Sequence, residues 1–346
     1  MAGMISFCHH LVVRIVCQGL VPTMICLVVW HSVASAQYTS EQYRVTENGI
    51  ELLTDEPPEI PDGELAYAVL QQICDLGPRV STSPGMQLQQ QFLQSYFQSL
   101  GATVIMQPFE VRHPVNQTPV QLNNVIVRWH PERRLRVLVC CHFDTRPFPD
   151  RDKTNPQGVF LGANDGASGV GMLCELGRYM PSLESEYGVD FVFFDGEEFV
   201  YQARRDPLFL GSTFFAQEYK RNLDTPRYSA GVLVDMIGDK DLTLYLEKNS
   251  WRQARQITKQ IWDVAERQGV TEFIPRTRYE IRDDHLPLMN IAGIPTCDII
   301  DFDYPVGREN IYWHTEADTP DKCSAESLGK VAKVVLAWLR IIRSQP

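Results

Sequence analysis

The chain has 346 residues, 44% of them hydrophobic and 22% charged, the composition of a soluble globular protein and not of a fibrous or disordered one. Its net charge of −11 at pH 7 lacks the basic balance of a nucleic-acid binder, so no nucleic-acid partner is expected. None of the nine cysteines forms a C-x-x-C pair, which speaks against a zinc knuckle or a thioredoxin-type motif.

Residues 1–36 stand apart. They carry no acidic residue, one arginine (Arg14), three cysteines (Cys8, Cys17 and Cys26), an apolar run over 21–30, and then Ala34-Ser35-Ala36. A positive start, a short apolar core and a small-x-small pattern read as a secretory signal cleaved after Ala36. The alternative is an uncleaved anchor, but a span needs ~20 apolar residues and this core is shorter. The mature chain is therefore expected to start at Gln37, to be periplasmic or secreted, and to keep no stable membrane association. Export permits disulfides among Cys74, Cys140, Cys141, Cys174, Cys297 and Cys323. Spacing fixes no pairing, and packing as small buried hydrophobes is the competing role.

Residues 37–61 are polar and carry Pro57, Pro58 and Pro61, so they read as a linker or surface strap before a single domain over 62–346. Leu65, Val69, Leu70 and Ile73 share one helical face, as do Phe92, Leu93, Tyr96, Phe97 and Leu100 within 86–100, which Gly101 ends. Strands are predicted over 104–111, 123–129, 135–141, 189–194, 230–235, 242–246 and 294–300. Helices are predicted over 167–180, 212–219 and 328–342, with Ser250-Trp251-Arg252-Gln253 as the capping box of a further long helix. Strands alternating with helices indicate an α/β three-layer sandwich around a mixed, largely parallel central sheet.

The chemistry gathers where these apolar strands end. Val189-Asp190-Phe191-Val192-Phe193-Phe194 runs into Asp195-Gly196-Glu197-Glu198, and buried strands of α/β proteins deliver functional groups at their carboxyl ends. Adjacent glutamates repel unless something positive divides their tasks, one binding a metal and the other free as a proton-transfer base. A solvated acidic turn is the plainer alternative. His142 and Asp144 follow the 135–141 strand on one side of an extended segment, so Asp144 is expected to fix the tautomer of a metal-binding His142. Gly162-Ala163-Asn164-Asp165-Gly166 lacks the Gly-Lys-Ser/Thr ending of a phosphate loop and brings the backbone close to whatever Asp165 touches. Asp235 ends another apolar strand, Asp283-Asp284-His285 precedes the 294–300 strand, and Tyr312-Trp313-His314 precedes the last helix. Carboxylates and imidazoles in this number suit zinc.

In this order, these residues resemble the co-catalytic zinc aminopeptidase/exopeptidase superfamily, and most of all its glutaminyl-peptide cyclotransferase (glutaminyl cyclase) branch, over about residues 62–343. The resemblance implies an α/β sandwich with its metal site at the strand ends, zinc held by Asp165, Glu198 and His314, and Glu197 as general acid/base. It implies that Asp283 hydrogen-bonds Asp235, the pair holding the amine or the leaving ammonia, and that Trp313 lines the substrate pocket. The substrates would be peptide or protein N-termini, with N-terminal glutamine cyclised to pyroglutamate. In the two-zinc aminopeptidases, His142 and Asp235 bind a second metal, which keeps hydrolysis of N-terminal residues open as the alternative. A catalytically inactive binding module would have lost ligands, and the set here is full. Two positions depart from the animal cyclases: Ala203 stands where they carry a tryptophan, and Asp298 where they carry a histidine.

Overall fold

Alternating side chains of the central strands build two cores at once. Val137, Val139 and Cys141 join one hydrophobic cluster while Leu138 and Cys140 join another, and Phe191 and Phe193 separate from Val192 and Phe194 in the same way. A sheet with two apolar faces must be covered on both. The computed structural model describes residues 42–46, 49–54, 56–222, 226–307 and 310–342, all within the compact unit Gln37–Pro346. The signal-segment expectation for residues 1–36, with its three cysteines, lies outside the described residues.

The elements run β1 (Tyr43–Thr46), β2 (Gly49–Leu52), α1 (Glu64–Asp75), α2 (Pro84–Ser99), β3 (Thr103–Arg112), β4 (Pro119–Trp129), β5 (Leu135–His142), α3 (Ala167–Gly177), β6 (Gly188–Phe194) and α4 (Leu210–Arg221). They continue with β7 (Arg227–Asp235), β8 (Leu244–Leu246), α5 (Lys248–Gln253), α6 (Arg255–Arg267), β9 (Phe273–Thr277), the single turn α7 (His285–Pro287), β10 (Thr296–Ile300) and α8 (Ala325–Ile341). The six-stranded sheet has the order β10-β7-β5-β6-β4-β3. Its β10, β7, β5 and β6 are mutually parallel, and β4 and β3 join antiparallel. The expected mixed, largely parallel sheet is therefore present, and the carboxyl ends of its four parallel strands open on one edge. Helices α1, α2, α3, α6 and α8 supply the larger core, and α4 packs on the other face.

Within residues 37–61, read as a linker or surface strap, β1 and β2 pair as an antiparallel hairpin. Tyr43 is buried, its hydroxyl donates to the Glu64 carbonyl at 3.1 Å, and Arg178 Nη2 donates to the Glu56 carbonyl at 3.1 Å. The long helix does not open on Ser250. Glu247 is the N-cap, its carboxylate accepting from Ser250 N at 2.6 Å, and Ala254 leaves helical geometry between α5 and α6. A carboxylate reaches the first-turn N–H groups as well as a hydroxyl does, so Ser250 is free to accept from Asp298 N at 3.0 Å. Finally, β9 has no counterpart among the predicted strands. The six described cysteines are all buried and none is in a disulfide, the packing role rather than the cross-linking one; burial raises the Cys74 thiol to about 12.

Far from the open strand ends, a buried ion cluster ties the middle of the sheet together. Asp190 on β6 meets Arg136 of β5, Arg128 of β4 and the Tyr228 hydroxyl of β7, and both Asp190 and Arg136 are 0% exposed. Removing one partner of such a pair leaves an uncompensated buried charge, which costs about 3–5 kcal/mol. Asp190→Ala is therefore expected to lower the unfolding free energy by about that amount in urea titrations; a loss below about 1 kcal/mol would be the behaviour of a surface pair and would contradict this view of the cluster.

Candidate active site

Each parallel strand delivers an acid or an imidazole to the open edge. β5 ends in His142, the turn after β6 carries Glu197 and Glu198, β7 ends in Asp235, and the segments after β5 and β10 bring in Asp165 and His314. Two triplets of ligand-type atoms result, each with its atoms within 4.8 Å of one another: Asp165, Glu198 and His314, and His142, Asp165 and Asp235. Asp165 belongs to both. His314 Nε2 is 2.8 Å from Glu198 and 3.5 Å from Asp165, and His142 Nε2 is 3.2 Å from Asp165 and 3.2 Å from Asp235. Glu197 belongs to neither triplet. It lines, with Glu198, Asp235, Asp283, Trp313 and His314, a cavity of about 460 Å³.

Backbone geometry holds this arrangement. Gly166 has φ +103°, and a Cβ there would lie 2.8 Å from the Asp144 carbonyl and 3.3 Å from the His142 ring, so only glycine lets the Asp165 loop approach so closely. Asp318 accepts from Asn164 N at 2.8 Å and Asp165 N at 3.1 Å. His314 itself has φ +56°, a left-handed conformation that a non-glycine residue keeps only where its surroundings impose it. Arg146 grips Glu198 twice, its N–H donating to Oε2 and its Nη1 to Oε1, both at 3.0 Å.

The expected partner of His142 has a different task. Asp144 stands 3.8 Å from His142 Nδ1, which has no hydrogen-bond partner. Its two oxygens instead accept from Glu197 N at 3.1 Å and Glu198 N at 2.9 Å, fixing the turn that separates the two glutamates. The imidazole that does gain an orienting carboxylate is His314, whose Nδ1 lies 3.3 Å from Asp150, itself held by Arg146 Nε at 2.9 Å. The expected hydrogen bond from Asp283 to Asp235 is also absent among the described residues. Asp283 accepts from Asp284 N at 2.6 Å and meets Asp235 through charge alone. Burial, then the Asp235 charge, pushes the Asp283 carboxyl well above the usual carboxylate range, which leaves it a proton.

A further group lies behind the site, and of its members Asp298 and His285 stand out in the sequence while Glu247 does not. His285 Nε2 is 3.5 Å from Glu247 and its Nδ1 is 3.6 Å from Asp298, all three buried. Burial would raise Glu247, but hydrogen bonds from His285 and from the Asn249 and Ser250 backbone outweigh it and bring it to about 2. Nothing in the spacing of Glu247 points there. Asp150 and Arg146 are legible only as a polar stretch after β5.

Electrostatics tests whether a cation fits. Burial, then the Glu198 charge, pushes Asp165 up to about 7, and its Oδ2 is buried without a hydrogen-bond partner. Burial alone would raise Glu198, yet His314 and Arg146 overcome it and hold it near 2. Burial would lower both imidazoles, but Glu198 and Asp150 raise His314, and Asp144, Asp165 and Asp235 raise His142 well above its ordinary value. Protons thus occupy the space where carboxylates and imidazoles converge, and a divalent cation with carboxylate and imidazole ligands fits that space in their stead.

Residues 124–339 match Peptidase family M28. A glutaminyl-peptide cyclotransferase of Gloydius blomhoffii is 26% identical over 301 residues, 76% of this chain and 78% of that protein. The crystal structure of Fimbriiglobus ruber glutaminyl cyclase superposes with a TM-score of 0.78 at 37% identity, covering 83% of this chain and 97% of that one. A Zn-dependent exopeptidase from Parabacteroides distasonis gives a TM-score of 0.75 at 30% identity, covering 82% and 99%.

Because the His314 imidazole is raised and Asp165 is pushed up to about 7 in the metal-free chain, loading zinc at neutral pH is expected to release protons. Calorimetry in buffers of different ionisation enthalpy measures that release, and affinity should rise with pH as the raised His314 loses its proton. Zinc uptake with no proton release and constant affinity from about pH 6 to 8 would contradict this charge state.

Proposed function

The chain belongs to Peptidase family M28, within its glutaminyl cyclase branch, and from that footing we propose how it converts the N-terminal glutamine of peptides to pyroglutamate and ammonia. The observation that carries the proposal is the division within the acidic pair: Glu198 joins Asp165 and His314 in a ligand triplet while Glu197, one residue away, faces the same cavity unligated. Asp165, Glu198 and His314 hold zinc. When bound, the zinc ion supplies Lewis acidity toward the γ-carboxamide carbonyl.

The substrate's own α-amine attacks the carbonyl carbon of the γ-carboxamide, so a C–N bond forms as the C–NH₂ bond of that carbon breaks. Glu197 takes the proton from the attacking amine and returns it to the leaving ammonia. Burial, then opposing effects of His142 and of the Glu198, Asp283 and Asp284 charges, leaves Glu197 well above the usual carboxylate range, which makes it a stronger base than an exposed glutamate. Asp235 and the protonated Asp283 hold the amine and the departing ammonia, and the Trp313 indole flanks the glutamine side chain. Export, by the signal ending at Ala36, puts this activity outside the cytoplasm; no helix among the described residues is long and apolar enough to cross a membrane.

The His142, Asp165 and Asp235 triplet favours a second reading, a two-zinc aminopeptidase in which a water attacks the first peptide bond and Glu197 activates it. The two differ in product. Gln-initiated peptides are expected to yield ammonia and no free amino acid, and Leu-initiated peptides to be inert. Glu197→Gln should keep zinc and lose about 10²–10⁴-fold in turnover, whereas Glu198→Gln should lose zinc. Equal zinc loss in both variants would refute the division of roles, and free leucine with two zinc ions per chain would establish the aminopeptidase.

A further inference from the structure

The catalytic cavity is acidic at its base, yet two guanidinium groups at its edge have no carboxylate of their own. Arg151 and Arg282 both line the cavity and both are exposed. Among the described residues, neither has an acidic side chain within the 4.0 Å of an ion pair, although the neighbouring charges are matched. Arg146 is taken by Asp150 and Glu198, Glu280 by Arg252 at 3.1 Å, and Arg278 by Asp303.

Arg151 is also held in place. Its backbone N–H donates to the His314 carbonyl at 3.1 Å, and its guanidinium carbon lies 4.5 Å from the Trp313 ring centroid, a cation–π distance. Trp313 is braced in turn by Phe302, edge-on at 5.0 Å. Arg151, Phe302 and Trp313 line both the catalytic cavity and an adjoining hollow of about 430 Å³. They form the ground between the two spaces. Arg282 comes from a separate segment, directly before Asp283.

The reaction uses only the amine and side chain of the first residue, so the rest of a peptide must leave across this ground. An extended chain advances ~3.3–3.6 Å per residue, which brings the second and third residues within reach of arginine side chains. A planar guanidinium with free N–H groups matches a carboxylate in two-point geometry.

We infer that Arg151, seated on Trp313, and Arg282 form an anion-recognising subsite that selects peptides bearing a carboxylate at the second or third position. The inference rests on the cyclase reading. The carboxylate has two sources, an acidic side chain after the glutamine or the free C-terminus of a short peptide.

Three peptides separate them: Gln-Glu-Ala amide, Gln-Gln-Ala amide and Gln-Gln-Ala with a free C-terminus. At low salt the native chain should turn over one or both carboxylate-bearing peptides with a kcat/KM about two- to fivefold above the neutral amide, the scale of exposed charge pairs. The peptide that gains identifies the source. The ratio should shrink as salt screens the charges, and should fall toward unity in Arg151→Gln/Arg282→Gln, with Arg151→Lys/Arg282→Lys restoring part of it. Three equal kcat/KM values in the native chain, or a preference that survives the double glutamine variant, would overturn the subsite. Calorimetric binding of the corresponding pyroglutamyl products, which cannot turn over, separates recognition from reaction. Tighter binding of an acidic product without ammonia release from any substrate would overturn the cyclase reading and uphold the subsite; equal binding of all three would overturn the subsite.

Discussion

Too many carboxylates share one dry volume. Asp165, Glu198, Asp235, Asp283, Asp284 and Asp298 are all buried at or behind the carboxyl edge of the sheet, and like charges at that range cannot all ionise. His314 and Arg146 bring Glu198 down to about 2, while Asp165 and Asp284 rise to about 7 and burial pushes Asp283 and Asp298 well above the usual carboxylate range. What this arrangement lacks is compensating positive charge, which a divalent cation at the Asp165 triplet would supply.

The scaffold keeps the crowded groups from relaxing away. Asp144 pins the Glu197 and Glu198 backbones, Asp318 pins the Asp165 loop, and Arg146 bridges Glu198 to the Asp150 that orients His314. Asp144, Asp318 and Arg146 are buried polar groups with partners in place, and a network of that kind is rigid because no member moves without leaving another unsatisfied. The left-handed backbone at His314 shows the same constraint locally. That Glu198 joins the Asp165 and His314 triplet while Glu197 lines the cavity outside it follows from this turn, not from any difference between the two side chains.

Strand ends are legible in the sequence because their signal is strong and local: an apolar run that stops in an acid. That single pattern locates His142, Glu197, Glu198 and Asp235, and the glycines around Asp165 locate the loop that must approach them. Partner choice is not legible. Asp144 lies two residues from His142 in sequence, and period-two geometry favours that pairing, yet tertiary contacts turn it toward the backbone of residues 53 and 54 positions further on. The orienting carboxylate of His314 comes from Asp150, far away in sequence, where no spacing rule applies. Glu247 as an N-cap escapes for a related reason: Ser250 fits a capping box by sequence, but the helix breaks at Ala254 and the carboxylate three residues earlier reaches the same N–H. The hairpin of β1 and β2 is hidden by the polar, proline-bearing composition around it.

The central claim about the chemistry is that the nucleophile is the substrate's own amine and not a water, and one measurement reaches it directly. The chain, loaded with zinc, is allowed to turn over a Gln-initiated peptide in water enriched in heavy oxygen, and the product is weighed by mass spectrometry. Attack by the amine predicts a product lighter than the substrate by one ammonia and containing no heavy oxygen. Incorporation of heavy oxygen into a new carboxylate, with release of the first residue or conversion of glutamine to glutamate, would show that water is the nucleophile and would contradict the cyclase mechanism.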